Sequence, residues 1–225
     1  MSSYEIYCLC HNNPERKARM TERFRKYAGK EANFPPTVGF DDPRVSSAPS
    51  NFSKACVSMV YGHLDMMRTF LSSDAEFGIF SEDDVFIRRD FKDTIQVAMD
   101  GYKRLGLDIL LLGYLANYRP AITTYQMDHT PLEPTFSFLS FNNELWGSQM
   151  FLLNRAGAAK ILEEFREHKP ERVLSPDWCI TKFGRRGAIY PMLAVEEGAV
   201  ATGHPAHVRY HNQCRDIQYD PKVYD

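Results

Sequence analysis

Three acids in a row, Glu82-Asp83-Asp84, separate two apolar runs, Phe77-Gly78-Ile79-Phe80 and Val85-Phe86-Ile87. Three neighbouring carboxylates at one strand end repel one another and need a partner. A divalent cation, Mn²⁺ or Mg²⁺, is the natural one, because hard cations take oxygen ligands. Held this way it leaves positions open for phosphate oxygens and stabilises the charge that develops on a departing diphosphate. The place in the chain fits too, since open α/β sheets gather ligands beyond the carboxyl ends of their strands. A solvated acidic turn is the alternative, and the buried strand that feeds into these acids weighs against it.

Such a strand needs a sheet, and the rest of the chain offers one. Residues 4–10 read as a buried strand. Pro14 suits the first turn of a helix, which continues from Glu15 to Tyr27 with Met20, Phe24 and Tyr27 on one face. A short second strand is expected over Thr37–Phe40, ended by Asp41-Asp42-Pro43. Lys54–Leu71 has the apolar stripe of a helix in Val57, Val60, Tyr61, Leu64, Met67 and Leu71. After Phe77–Phe80 come a helix over Asp90–Arg104 and a strand over Asp108–Tyr114. Further strands are expected at Thr135–Phe141, Gly147–Leu153 and Ala188–Tyr190. Helices are expected at Arg155–His168 and from the Ser175-Pro176 start to near Phe183. The tail, 198–225, is expected to wrap the domain. Strands alternating with helices in the first half imply an α/β fold, a mostly parallel sheet with helices on its faces.

The chain has 225 residues; at roughly 150 per domain, one decorated domain is expected over 1–225. Apolar residues make up 44% and charged residues 25%, which excludes collagen-like, disordered and disulfide-scaffold classes. Lys plus Arg number 27 and Asp plus Glu 29, a net charge of −2, so no basic field marks a nucleic-acid partner. No apolar run is long enough for a transmembrane segment. The five cysteines, Cys8, Cys10, Cys56, Cys179 and Cys214, lack zinc-ribbon spacing and are odd in number. Reduced thiols are expected, and with the polar start Met-Ser-Ser-Tyr-Glu they point to a cytoplasmic protein without a secretory signal.

With those elements laid out, the sequence resembles glycosyltransferase family 25, the group of bacterial lipooligosaccharide and collagen galactosyltransferases. Ile6-Tyr7-Cys8-Leu9-Cys10-His11-Asn12 followed by Pro14-Glu15-Arg16-Lys17 is similar to the family's opening strand and its Asn-then-Arg loop. Ala55-Cys56-Val57-Ser58 with His63 resembles its Gly-Cys…Ser-His helix, here with Ser58 and His63 apart. Phe80-Ser81-Glu82-Asp83-Asp84-Val85 matches a Leu-Glu-Asp-Asp-Val segment, and Asp108-Ile109-Leu110-Leu111-Leu112-Gly113 is like the strand that follows. The stretch from Trp146 to Ala158 resembles the Gly-Thr-x-x-Tyr-x-Ile-Ser-x-x-Gly-Ala block. Pro176-Asp177-Trp178 and Tyr190-Pro191 complete the order. The fold this implies is GT-A, a Rossmann-like sandwich with an acid motif that holds metal and donor. Residues 1–115 would form the nucleotide-sugar-binding half and 116–225 the acceptor-binding half.

The resemblance also implies roles. Glu82 and Asp84 take the ends of an Asp-x-Asp pattern as metal ligands, and Asp83 braces the loop or touches the sugar. Tyr7, His11, Asn12 and Arg16 are donor-binding candidates under the nucleotide, where amides at a helix start attract phosphate. Asp42 is a candidate for a ribose hydroxyl, Lys54 for the diphosphate, and His63 for a donor-side contact. Asp177 is the choice for the general base that takes the acceptor hydroxyl's proton, with Glu196 and Glu197 as alternatives. Trp146 and Trp178 are candidates to stack on sugar faces. A late histidine is expected to complete the metal shell: Val208–Asn212 reads as a strand end and loop, which ranks His211 before His204 and His207. The implied activity is transfer of a hexose or pentose from a nucleoside-diphosphate-sugar, uridine-linked, to a hydroxyl of a glycan or glycoprotein acceptor, with inversion and metal assistance. An inactive sugar-binding scaffold and a metal-dependent phosphoester hydrolase are the competing classes.

Overall fold

Alternation along the first strand sets the layers. In Tyr4–Leu9 (β1), Ile6 and Cys8 face one buried apolar cluster and Tyr7 faces another, as the two-residue period of a strand requires. The structure, a computed structural model, describes residues 3–49, 53–118, 136–141, 145–167, 174–198 and 205–225. The remaining strands are Ala32–Asn33 (β2), Phe77–Glu82 (β3), Val85–Ile87 (β4), Ile109–Leu115 (β5), Ser137–Leu139 (β6), Trp146–Asn154 (β7), Arg186–Tyr190 (β8) and Ala194–Glu196 (β9). The helices are Pro14–Arg23 (α1), Pro43–Ser46 (α2), Lys54–Leu71 (α3), Phe91–Arg104 (α4), Arg155–Glu167 (α5), Pro176–Cys179 (α6) and Pro205–Gln218 (α7).

Seven strands form one sheet in the order β2-β1-β3-β7-β5-β8-β6. β2, β1, β3, β5 and β8 run one way; β7 and β6 run the other. The expected α/β sandwich with a mostly parallel sheet is therefore what the chain adopts. α1, the π-helical turn Phe24–Ala28 that continues it, and α4 cover one face through Met20, Phe24, Phe91, Ile95 and Met99. α3 and α5 cover the other through Val57, Val60, Leu64, Phe70, Ala158 and Ile161. Among the described residues no helix is long and apolar enough to cross a membrane, and none of the five cysteines is in a disulfide.

Two features outside the main sheet shape the site. β4 and β9 pair as an antiparallel ribbon, Val85 opposite Glu196 and Ile87 opposite Ala194. The Glu197 amide also donates to the Asp84 carbonyl at 2.7 Å. The ribbon thus folds the end of β9 back over the acidic loop. The chain end joins it, with Asp225 and Ile87 exchanging backbone hydrogen bonds of 3.0 and 2.9 Å.

Three expectations are corrected. Thr37–Phe40 is not a strand; it crosses as an extended loop, and Ala32–Asn33 pairs with β1 instead. The helix begun by Ser175 and Pro176 ends at Cys179, well before Phe183. Val208–Asn212 is the middle of α7 rather than a strand end. Thr135 and His168, the outer ends of two expected elements, lie outside the described residues.

Candidate active site

β3 ends in Glu82 at the sheet's carboxyl edge, beside the end of β1, with Leu9 as its register partner. Its Oε1 accepts from the Ser148 hydroxyl of β7 at 2.9 Å. The His63 Nε2 of α3 stands 3.5 Å from the same oxygen. Burial pushes the Glu82 carboxyl up, but His63 and the Ser148 hydroxyl outweigh it and hold Glu82 below its ordinary value. Asp83 turns the other way, accepting from Arg16 at 2.8 Å. Arg16 is set in place by the helix start: Asn13 caps α1 by accepting from the Arg16 amide at 3.0 Å, with Pro14 in the first turn.

Asp84 is the strained member of the cluster. Its Oδ1 is buried without a hydrogen-bond partner, and its Oδ2 is 3.5 Å from Arg16. Burial, then the charges of Glu82, Glu196 and Asp83, push it up to about 8 against the pull of Arg16. The β4–β9 ribbon carries Glu196 to this spot. Both Glu196 oxygens lie 2.8 Å from His211 Nδ1, a hydrogen bond that raises the imidazole. Glu197, the next residue along an extended chain, points away to Arg19 and Arg23. It is thereby removed as an alternative base, whereas Glu196 stays in the site.

A cavity of about 700 Å³ opens beside these acids. Glu82, Glu196, His207, Tyr210, His211, Trp146, Ser148, Asp177 and Trp178 are among the residues that line it. His207, Tyr210 and His211 share a helix face because they sit at i, i+3 and i+4 of α7. His204 lies outside the described residues. Asp177, in the first turn of α6, accepts from the Gly147 amide at 2.5 Å. Gly147 has φ 115°, and a Cβ there would come within 2.8 Å of the Leu115 amide nitrogen, so a glycine is needed where the chain turns this amide to Asp177. Burial and the Glu82 charge raise the Asp177 carboxyl. Trp146 and Trp178 meet edge to face with centroids 5.7 Å apart. Lys182 lies over both rings, 5.0 and 6.0 Å from their centroids, and burial pulls its ammonium down to about 8 against Asp177.

A second cavity of about 220 Å³ is walled by Leu9, His11, Thr37, Val38, Phe40, Ala55, Ser58 and Met59. Met59 also lines the larger cavity, so the two adjoin. The His11 and Phe40 rings lie nearly parallel, 6.2 Å apart, and Phe40 is 51% exposed. The loop expected to be a strand is thus one wall of this slot, held to α3 by the Ser58 hydroxyl on the Val38 carbonyl.

The structure lines one cavity with Glu82, Asp177 and His211 and the adjoining slot with His11; Asp84, Asp83 and Arg16 form the ion-paired cluster next to Glu82 without lining either cavity. The other donor-binding candidates stand elsewhere. Tyr7 is 1% exposed, stacked on Phe80 and bonded to Glu5; the alternation of β1 sends it into the core, so it touches no nucleotide. Asp42 caps α2 and is held by Arg44, which lowers it to about 2. Lys54 is exposed at the start of α3 and lines neither cavity. Asn12 is exposed with φ 45°, a conformation Asn tolerates. His63 is fully buried behind Glu82, so no donor reaches it. Ser148, Phe40, Met59 and Tyr210 belong to the site without having been singled out. For Tyr210 a helical reading of the tail would have sufficed; Ser148 falls in the stretch that resembles the Gly-Thr block, which gave it no role of its own.

The cluster suits a hard cation: an orphaned carboxylate oxygen, two more carboxylates and an imidazole match Mn²⁺ or Mg²⁺ better than a thiophilic metal. Among the described residues no group of three or more His, Cys, Asp or Glu side chains is drawn together closely enough to hold a metal alone. Further oxygen ligands would have to come from a bound molecule.

No protein-family model matches the sequence, and no curated protein matches it. Solved structures similar in backbone include the following two. One is a glycosyltransferase involved in the glycosylation of the major capsid of PBCV-1, with 10% identity and a TM-score of 0.47 over 96% of this chain and 100% of that one. The other is the mannose-1-phosphate geranyltransferase from Thermus thermophilus, with 11% identity and a TM-score of 0.43 over 84% of this chain and 74% of that one. Those names describe those proteins; the functional reading below rests on this chain's own side chains.

Proposed function

We propose that the protein is a GT-A glycosyltransferase that moves a sugar from a uridine-diphosphate-linked donor to a hydroxyl of a glycan or glycoprotein. The observation that carries this reading is the unpartnered, buried oxygen of Asp84, a carboxyl raised by burial and by the charges of Glu82 and Glu196, which themselves line the larger of two adjoining cavities. The small slot between His11 and Phe40 takes the base, by stacking. Its neighbour takes the sugar and acceptor against Trp146 and Trp178. The diphosphate lies between them, near Asp84 and Arg16. Glu82, Asp84 and His211 would hold a divalent cation only together with diphosphate oxygens, since these side chains do not form a ready metal group by themselves; the cation would supply charge stabilisation to the leaving group.

Asp177 takes the proton. Its carboxylate accepts the acceptor hydroxyl's hydrogen as that oxygen bonds to the anomeric carbon. The bond from the anomeric carbon to the diphosphate breaks, and its electron pair leaves with the diphosphate. The raised Asp177 carboxyl suits the task, because a base works best with its pKa near working pH. Attack opposite the leaving group inverts the configuration.

Calorimetry with a panel of nucleoside-diphosphate-sugars, with and without Mn²⁺, tests the reading. Cation-dependent binding of a uridine-linked donor, with transfer to a glycan or slow donor hydrolysis, is expected. Absence of binding by every donor would refute it. Tight binding without either reaction would favour an inactive scaffold, and hydrolysis of simple phosphoesters would favour a hydrolase.

A further inference from the structure

His63 poses a physical problem that the proposed chemistry leaves unused. It sits in the middle of α3 with no exposed surface, its ring tilted 5.5 Å from Phe151. Neither ring nitrogen has a hydrogen-bond partner. A buried imidazole without partners is costly, and native proteins seldom keep one without a use. One polar atom close to Nε2 is informative: Glu82 Oε1 stands 3.5 Å away, just beyond a good hydrogen bond. That oxygen is already engaged by the Ser148 hydroxyl at 2.9 Å. Groups from α3 and β7 therefore converge on one oxygen of one carboxylate. The other oxygen, Oε2, has no hydrogen bond among the described residues, and Glu82 lines the larger cavity.

We infer that His63 and Ser148 form a two-point brace on Glu82 Oε1, which fixes Oε2 as the oxygen presented to ligand. A shift of a few tenths of an ångström would bring Nε2–H into full hydrogen-bond distance of Oε1. His63 is thus a positioning residue that acts through Glu82. The inference rests on the proposal that Glu82 faces the donor and its cation. Partners behind a ligating carboxylate of this kind are worth about 10- to 100-fold in affinity or activity.

Two readouts keep this inference separable from the transferase reading. The first needs no ligand. In protein labelled with ¹⁵N-histidine, and with His63→Gln used for assignment, the His63 ring is expected to carry its proton on Nε2. That resonance is expected to shift in Glu82→Gln. A proton on Nδ1, or an unmoved signal in Glu82→Gln, would overturn the brace even in a protein that binds no donor. The second measures affinity for UDP with Mg²⁺ by calorimetry, alongside thermal unfolding of each variant. His63→Phe, which keeps ring bulk but has no donor, is expected to weaken binding about 10- to 100-fold. His63→Gln, which keeps an N–H, is expected to recover most of that loss. Ser148→Ala removes the other point of the brace with little change of volume and is expected to weaken binding in the same direction. Equal affinities in His63→Phe and wild type would overturn the inference, and so would Gln performing no better than Phe. Failure of UDP and Mg²⁺ to bind wild type would count against the proposed function, leaving the resonance of His63 to decide the brace.

Discussion

Replacing Asp84 by Asn tests the electrostatics of the acidic cluster without any assumption about substrate. The carboxyl is held at about 8, against an ordinary value of 3.8, by burial first and by Glu82, Glu196 and Asp83 next. The folded protein therefore keeps a proton on Asp84 that the unfolded chain releases just below pH 4. Stability conferred on the fold must then fall as pH rises between those two values, and level off above about 8. A gap of about four units, at about 1.4 kcal/mol each, sets a ceiling of about 6 kcal/mol. The side chain is 21% exposed, and partial solvation of the charge brings the expected cost to about 3 kcal/mol. Asn has nearly the same shape and nothing to ionise. In chelator, denaturant unfolding of wild type and Asp84→Asn should give similar stabilities near pH 4. The variant should lead by about 3 kcal/mol at pH 8.5. Adding Mn²⁺ at the higher pH should stabilise wild type and leave the variant unmoved. Parallel stability curves from pH 4 to 8.5 would show that Asp84 is neither desolvated nor crowded by charge, and the argument for a cation there would go with it.

Three further outcomes are expected. Asp177→Asn should keep donor affinity and lower turnover by about 10²–10⁴-fold, measured as transfer rate at saturating donor; near-normal turnover would move the base to Glu196. Phe40→Ala should weaken UDP binding by about 1–3 kcal/mol, the usual worth of an aromatic platform under a base, and unchanged calorimetric affinity would empty the slot of its proposed occupant. Gly157→Ala should destabilise the fold by about 1–3 kcal/mol in denaturant titration, because its Cβ would meet the Asp108 carbonyl oxygen at 2.3 Å.

How legible these features were depended on which kind of pattern encoded them. Lys54–Leu71 could be bounded from its stripe because half of α3 faces the core and half faces water, a contrast that periodicity reports well. The strand before Glu82 was legible for a different reason: its abrupt end in three acids marks a sheet edge. Tyr7 was misplaced because β1 is buried on both faces, so its sequence does not say which residues face the core and which the edge. Val38 and Phe40 give Thr37–Phe40 the alternation of a strand, yet both residues line the slot. Ala32–Asn33, only two residues long, leaves no periodic trace. In the tail, Val208 and Tyr210 alternate with polar residues as a strand would, and the signal that mattered was Pro205 starting a helix. Glu196 and Glu197 are equivalent in sequence. The pleat of β9 separates them, sending one into the cavity and the other to Arg19 and Arg23. Ser148 acquires its role only through the pairing of β7 with β3, a long-range fact that no local pattern holds.

The central claim is that a cation and a diphosphate meet at Asp84. Its most direct test is a crystal structure of the protein grown with Mn²⁺ and UDP. Metal density bonded to Asp84 and to diphosphate oxygens, with the uracil lying between His11 and Phe40, is the expected result. UDP bound at a remote surface, or bound in these cavities with Asp84 still contacting neither metal nor phosphate, would contradict it.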